Sequence, residues 1–477
     1  MNTAIPEFLE RNPNRRVVMV QGLGFVGAVM SVVCANAHKE EYAVIGVDRN
    51  TSLSRKRIDA FNSGQFPLIA DDPKVYEYFN RAQEKGNILA TWDKAAYKHA
   101  DVVIVDVNLD VSKHAKSTYE LESYTVDLNG FTEAIRTIGK SCKHDALILV
   151  ETTVPPGTSE NIVRPTIEEE LRKRGLPTAR IKIGHSYERV MPGPNYVDSI
   201  QSFYRVYAGV DEKSADATEA FLKTIIRTDE YPLTRLEHTN ATEMAKVLEN
   251  AYRAMNIAFV VEWSRLAEEA GVDLYEIVRA IRLRPTHSNL MFPGIGVGGY
   301  CLTKDPLLAS WSRENLIGGD GKLPQSEVAV SINDQMPRYA FEFLQRRYSG
   351  DLSSANVVLL GVAYRGDVGD TRFSPVHPFY ELLVNAGAVV RTHDPFVSLW
   401  EETGCEPAQE LSEAFGEKTD IAVVTSGHTI YKNDQTVDVL MQQEPMWVYD
   451  TIGLFSAEQI VRLREKHTVI VLGRGDL

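Results

Sequence analysis

The chain has 477 residues, of which 51 are Lys or Arg and 65 are Asp or Glu, giving a net charge of −14. That length suits several domains of about 150 residues, and a hydrophobic content of 44% is enough to fill cores, which excludes global disorder. So acidic a chain repels a phosphate backbone, which excludes general nucleic-acid binding, although helix ends and single Arg side chains can still hold a small phosphorylated ligand.

In chain order, the first block offers continuous apolar runs at 17–21, 42–48, 102–107, 146–154, 181–184 and 203–210. Runs of this kind suit parallel strands buried on both faces, and their alternation with helical stretches predicts a doubly wound α/β sheet. From Asn240 to Ala270 the chain has no Pro and no Gly. Met244, Val247, Leu248, Ala251, Met255 and Ala258 recur there at steps of three and four, which predicts one long amphipathic helix of about 46 Å. GGDGK at 318–322 reads as a flexible joint. A second α/β block follows, with runs at 356–364, 388–395, 420–428 and 468–473. The expected division is 1–235, 236–325 and 326–477: two Rossmann-like parallel-sheet domains joined by a central helical segment. Cys34, Cys142, Cys301 and Cys405 form no C-x-x-C pair, so no disulfide framework or zinc cluster is expected and a reducing cytosol fits. The opening residues lack a signal peptide's apolar run, and no stretch reaches the roughly 18 apolar residues of a spanning helix.

Four constellations carry chemistry. Gly22-Leu23-Gly24-Phe25-Val26-Gly27 follows an apolar strand and opens a helical run. In a dinucleotide fold Gly22 permits the tight turn, Gly24 lets backbone approach a pyrophosphate, and Gly27 lets helix pack on strand. Asp48 ends the next strand, where a carboxylate grips a ribose hydroxyl and disfavours a 2′-phosphate; this points to NAD, with Arg49 beside it pulling the other way. A plain strand–helix turn is the alternative. The second is the loop Phe292–Asp305, with Gly294, Gly296, Gly298 and Gly299 ahead of a single thiol, Cys301, and the charged pair Lys304 and Asp305 behind it. A thiolate attacks carbonyl carbon and a nearby cation favours it; the alternative is a structural cysteine. Third, Lys246 and Asn250 share a helix face, one turn after Glu243, which suits either a developing alkoxide or an ordinary polar face. The fourth is scattered over ETTVPPGT (151–158), YERVMPG (187–193) and GDVGDTRFSP (366–375). It places Thr153, Glu188 and Arg372 where strand ends or loops could meet a ligand. The 11 histidines show no metal spacing.

Together these motifs resemble the nucleotide-sugar 6-dehydrogenases, the UDP-glucose and UDP-N-acetylhexosamine dehydrogenases, from about Arg16 to Gly475. GVGGYCLTKDP is the most specific piece, supported by ATEMAKVLENAYRAMNIA (241–258) and GVAYRGDVGDTRFSP (361–375). The resemblance implies an NAD-binding Rossmann domain, a dimer-forming helical middle and a second Rossmann-like domain for the UDP-sugar. It also implies a cytoplasmic enzyme of polysaccharide biosynthesis that oxidises a sugar 6-hydroxymethyl to a uronic acid with two NAD. It makes Cys301 the nucleophile, through a thiohemiacetal and a thioester, with Lys246 and Asn250 steadying oxygen charge. Asp305, Glu188 and Thr153 would assist proton traffic. NAD would be held by Gly22, Gly24, Phe25, Val26, Gly27, Asp48, Arg49, Lys304 and Arg372. The substrate would be lined by Glu188, Arg189, Lys246, Asn250, Leu290, Met291, Phe292, Pro293, Gly294, Gly298 and Arg365. Departures from the family pattern are Asn108-Leu109-Asp110 after the third strand run, Arg365 for Lys, Val261 for Asn, Tyr300 before the cysteine, and Thr451-Ile452 after Asp450. YERVMPG leans to the acetamido-sugar branch and CLTKD to UDP-glucose. Two other readings stay open: a single-step β-hydroxyacid dehydrogenase, which needs no thiol, and a non-catalytic NAD- or nucleotide-binding scaffold.

Overall fold

The computed structural model describes residues 4–68, 70–116, 120–190, 193–416 and 418–477. Met191 and Pro192 of the YERVMPG motif, and the first three residues of the opening stretch, lie outside them. The chain forms two compact units. The first holds 1–112, 126–248 and 311–322, and the second holds 113–125, 249–310 and 323–477. GGDGK thus ends at the point where the chain leaves the first unit for the second.

In the first unit β1 (Arg16–Gln21), β2 (Tyr42–Val47), β3 (Ile88–Thr91) and β4 (Val102–Val105) precede a two-stranded insertion, β5 (Val111–Ala115) and β6 (Leu121–Val126), most of which, 113–125, belongs to the second unit. The sheet resumes with β7 (Leu147–Val150), β8 (Lys182–His185), β9 (Val206–Gly209) and β10 (Thr234–Arg235). The order β3-β2-β1-β4-β7-β8 is parallel throughout, which is the doubly wound dinucleotide arrangement with its switch point between β1 and β4. Val18, Val20, Val44, Ile104 and Leu149 are fully or almost fully buried, since helices cover both faces. The expectation of parallel strands fails at 203–210: β9 runs antiparallel to β8. Twenty residues lie between the end of β8 and the start of β9, and the helix among them is the six-residue Tyr196–Gln201.

The second unit carries β11 (Asn356–Leu360), β12 (Val389–His393), β13 (Ile421–Val424), β14 (Trp447–Asp450) and β15 (Thr468–Val471). They form an all-parallel sheet in the order β12-β11-β13-β14-β15, again doubly wound, with its switch point between β11 and β13. Fully buried Trp400 packs within its core. The long helix is Thr239–Ala270, 32 residues, and it stops at Gly271, whose φ of +69° suits a left-handed helix end. No helix among the described residues is long and apolar enough to cross a membrane.

Candidate active site

The first sheet's switch point is built by three glycines with three different jobs. Gly22 has φ +100°, and a Cβ there would lie 2.4 Å from the Asp106 carbonyl oxygen. A Cβ on Gly27 would lie 1.8 Å from the Gly22 carbonyl oxygen, so helix Phe25–Ala35 packs on β1 only without a side chain there. Gly24 is different. A Cβ on it meets nothing within 4 Å among the described residues, and as N-cap it supplies no side-chain hydrogen bond. The helix start, with Phe25 and Val26 in its first turn, therefore turns its positive dipole end towards an anion at Gly24. Asp48 follows β2 directly; its carboxylate accepts from Leu23 N (3.3 Å) and from Arg49 N (2.7 Å). A pyrophosphate at Gly24 and a ribose at Asp48 fit these residues. Arg49 is exposed.

The strand ends of β7 and β8 carry Thr153 and Glu188, both half-buried. Lys246 donates to the Glu188 carbonyl oxygen (3.0 Å), and its ammonium lies 3.8 Å from the Glu188 carboxylate. It also sits over the Tyr187 ring, 5.5 Å from the centroid. Glu188 accepts from Val190 N within its own loop. Arg189 donates to the Tyr204 carbonyl and the Tyr187 hydroxyl, 3.0 and 3.2 Å away.

In the second unit Cys301 is exposed, one turn ahead of helix Asp305–Asn315. The loop that presents it demands its glycines: a Cβ on Gly298 would lie 2.5 Å from the Phe373 carbonyl oxygen, and one on Gly299, at φ +80°, 2.8 Å from the Tyr364 ring. One turn after Cys301 in sequence comes a buried chain. Lys304 Nζ donates to Asp305 Oδ1 (2.7 Å) and lies over the Tyr300 ring, while Asn250 Nδ2 donates to Asp305 Oδ2 (2.6 Å). Lys246 and Asn250 thus share a helix face but engage different partners. Arg372 grips Asp370 through Nε and Nη2, 2.9 and 2.7 Å away, and its carbonyl accepts from Gly299 N (3.2 Å). Leu290 packs beside Val260 and Leu274, Met291 N donates to Asn256 Oδ1 (3.0 Å), and Phe292 stacks on Tyr275 at 5.9 Å. Pro293 is buried and Gly294 half-buried. Arg365 is exposed in the turn after β11, at the second sheet's switch point, where ligands bind in such folds.

Several buried polar groups were given no role in the sequence reading. Arg205 and Glu151 form an ion pair with side chains 1% and 0% exposed. The signal for Arg205 was a cation inside an apolar run. Burial pushes Glu151 up to about 7 and raises Asp106 well above the carboxylate range. Fully buried Glu243 accepts from Gly157 N and Ser159 N, 2.7 and 2.8 Å away, and burial still pushes it up to about 7. Asp394 follows β12 as Asp48 follows β2, but its carboxylate is already taken by Val362 N, Ala363 N and His428 Nε2.

A dinucleotide cradle in one doubly wound sheet, and a second such sheet beyond a long helix, define the class: a nicotinamide-dependent dehydrogenase with two nucleotide-binding folds. Residues 16–226, 240–334 and 358–457 match, respectively, the NAD binding, central and UDP binding domains of the UDP-glucose/GDP-mannose dehydrogenase family. A UDP-N-acetyl-D-mannosamine dehydrogenase of Pyrococcus horikoshii is 31% identical over 87% of this chain and 90% of its own. Among solved structures, UDP-D-ManNAc dehydrogenase from Pyrococcus horikoshii aligns with TM-score 0.78 at 28% identity, covering 97% of this chain and 100% of that one. NDP-N-acetyl-D-galactosaminuronic acid dehydrogenase from Methanosarcina mazei aligns with TM-score 0.77 at 26%, covering 99% and 98%. The chain belongs to the UDP-glucose/GDP-mannose dehydrogenase family and is an NAD-dependent oxidoreductase acting on a CH–OH group of a nucleotide sugar.

Proposed function

We propose that this enzyme oxidises the 6-hydroxymethyl of a UDP-linked acetamidohexose to the carboxylate, with Cys301 as nucleophile. The observation that carries the reading is the exposed Cys301 thiol one turn ahead of the buried Lys304–Asp305 pair, to which Asn250 donates. NAD, when bound, accepts a hydride from the sugar carbon twice per turnover. After the first oxidation the Cys301 sulfur adds to the aldehyde carbon, giving a thiohemiacetal, and the second leaves a thioester. Water then cleaves the carbon–sulfur bond, releasing the uronate and returning the thiol. The N-terminus of the helix behind Cys301 favours negative charge on sulfur. Lys246 stabilises oxygen charge as a cation, Asn250 through its amide, and Asp305 accepts a proton and is held for that task by Asn250 and Lys304. Glu188 and Thr153 order the hydrolytic water. Lys304 and Arg372 keep the cofactor role the resemblance implies, and Arg189, Leu290–Gly294, Gly298 and Arg365 that of lining the substrate. The names of the relatives, an N-acetylmannosamine dehydrogenase of Pyrococcus horikoshii and one of the N-acetylgalactosaminuronic type, favour an acetamido sugar.

On this reading 1–235 serves NAD, 236–325 the thiol and assembly, and 326–477 the UDP moiety. Met244, Leu248, Tyr252, Phe259, Trp263 and Leu266 leave an exposed apolar stripe along the long helix, which supports a homodimer formed by two such helices. Use of a nucleotide sugar as a precursor supports a cytoplasmic role in polysaccharide biosynthesis. The test is NADH formation with UDP-N-acetylmannosamine, UDP-N-acetylglucosamine, UDP-glucose and GDP-mannose. The highest kcat/KM should fall on an acetamido sugar, and a preference for UDP-glucose would overturn the substrate assignment.

A further inference from the structure

The Glu188 loop is held by Arg189, which donates to the Tyr204 carbonyl oxygen, and by Lys246, which donates to the carbonyl oxygen of Glu188. Its carboxylate is tied to Val190 N, inside the loop, and to Lys246. The nearest fixed point on the sheet is Ser186, whose N–H joins the Val150 carbonyl oxygen (3.1 Å). There Arg205 closes a bracket. Its Nη2 donates to the Ser186 carbonyl oxygen (3.2 Å) and to Glu151, and its Nε lies 3.4 Å from Ser186 Oγ. Glu151 in turn opens the segment that carries Thr153, and its N–H joins the Val105 carbonyl oxygen (3.2 Å). One guanidinium therefore ties together the ends of β7 and β8, the strands from which Thr153 and Glu188 emerge. Burying such a pair carries a desolvation cost that its attraction has to offset. Glu151 Oε2 and Arg205 Nη1 have no hydrogen-bond partner among the described residues. The pair stands at the carboxyl ends of a doubly wound sheet, where ligands bind.

We propose that Arg205, held by Glu151, is a positioning residue that sets Glu188 and Thr153 for the oxidation; this rests on the reading of Glu188 given above. A lysine at 205 keeps the charge but lacks the fork that reaches two partners at once. Arg205→Lys should therefore lower kcat per active site by about 10- to 100-fold, the scale of a misplaced catalytic group, while the KM for NAD stays within about twofold of the parent. The deciding measurement is a double-mutant cycle with Glu188→Gln. If Arg205 acts through Glu188, the double variant is no slower than Glu188→Gln alone. If the two losses multiply, or if Arg205→Lys keeps full kcat, the proposal is overturned. Should Arg205→Lys not fold, Glu151→Gln, which keeps shape and an acceptor, takes its place in the cycle with the same expectation. A Glu188→Gln enzyme with unchanged kcat would instead remove the reading of Glu188 itself, a separate and recognisable failure.

Discussion

His185 shows how a single side chain ties pH to stability in this fold. It is fully buried on β8, with Nδ1 2.7 Å from Thr242 Oγ1, whose own proton goes to the Thr239 carbonyl oxygen (2.8 Å). Burial first, then Arg205 and Lys246, push the His185 pKa down to about 3. In the unfolded chain it takes a proton near 6.5, so its contribution is present above that pH and is lost as the pH falls from 6.5 towards 3. The expected slope is up to about 1.4 kcal/mol per pH unit. Urea midpoints between pH 4 and 8 should show it in the parent and lose it in His185→Asn; identical slopes would contradict the assignment. Glu243 has the opposite sign. Raised to about 7 by burial, its contribution is full below about 4.5 and fades as the pH rises through 7. At this scale Cys301 was legible because four glycines and a charged pair frame one thiol. Arg205 with Glu151 was not, because the pair joins positions 54 apart in sequence, and only the strand order brings them together.

Among the elements, the glycine turn makes the clearest distinction between folding and binding. Gly27→Ala puts a methyl on the Gly22 carbonyl oxygen, a backbone atom that cannot move aside cheaply. It should cost several kcal/mol or prevent folding, as overpacking against fixed atoms does. Gly24→Ala meets no described atom and keeps an extended φ of −80°. It should fold with a melting temperature near the parent's, yet bind NAD at least about tenfold more weakly, because its methyl enters the pyrophosphate's place. Thermal melts and NADH fluorescence titration separate the two. The six core strands before β9 were mostly plain to read as apolar runs. Ile88–Thr91 and Trp447–Asp450 were missed. The insertion strands Val111–Ala115 and Leu121–Val126 were missed because they are mostly polar and form no apolar run. Periodicity placed the long helix to within one residue, yet it did not sort its apolar positions: Val247, Ala251 and Ala258 are buried, whereas Met244 and Leu248 are exposed.

At the scale of the whole molecule, the exposed stripe and the thiol chemistry make independent demands. Trp263→Glu with Leu266→Glu should give a species near the 53.3 kDa chain mass by light scattering, where the parent gives twice that. A parent that already runs as a monomer would contradict the dimer. The central claim concerns Cys301, and one number tests it: moles of NADH formed per mole of nucleotide sugar consumed, with the product identified by mass. The account predicts two NADH and a uronate from the parent, and no uronate from Cys301→Ala. One NADH per sugar with an aldehyde or ketone as the final product, or uronate formation by the alanine variant, would contradict it.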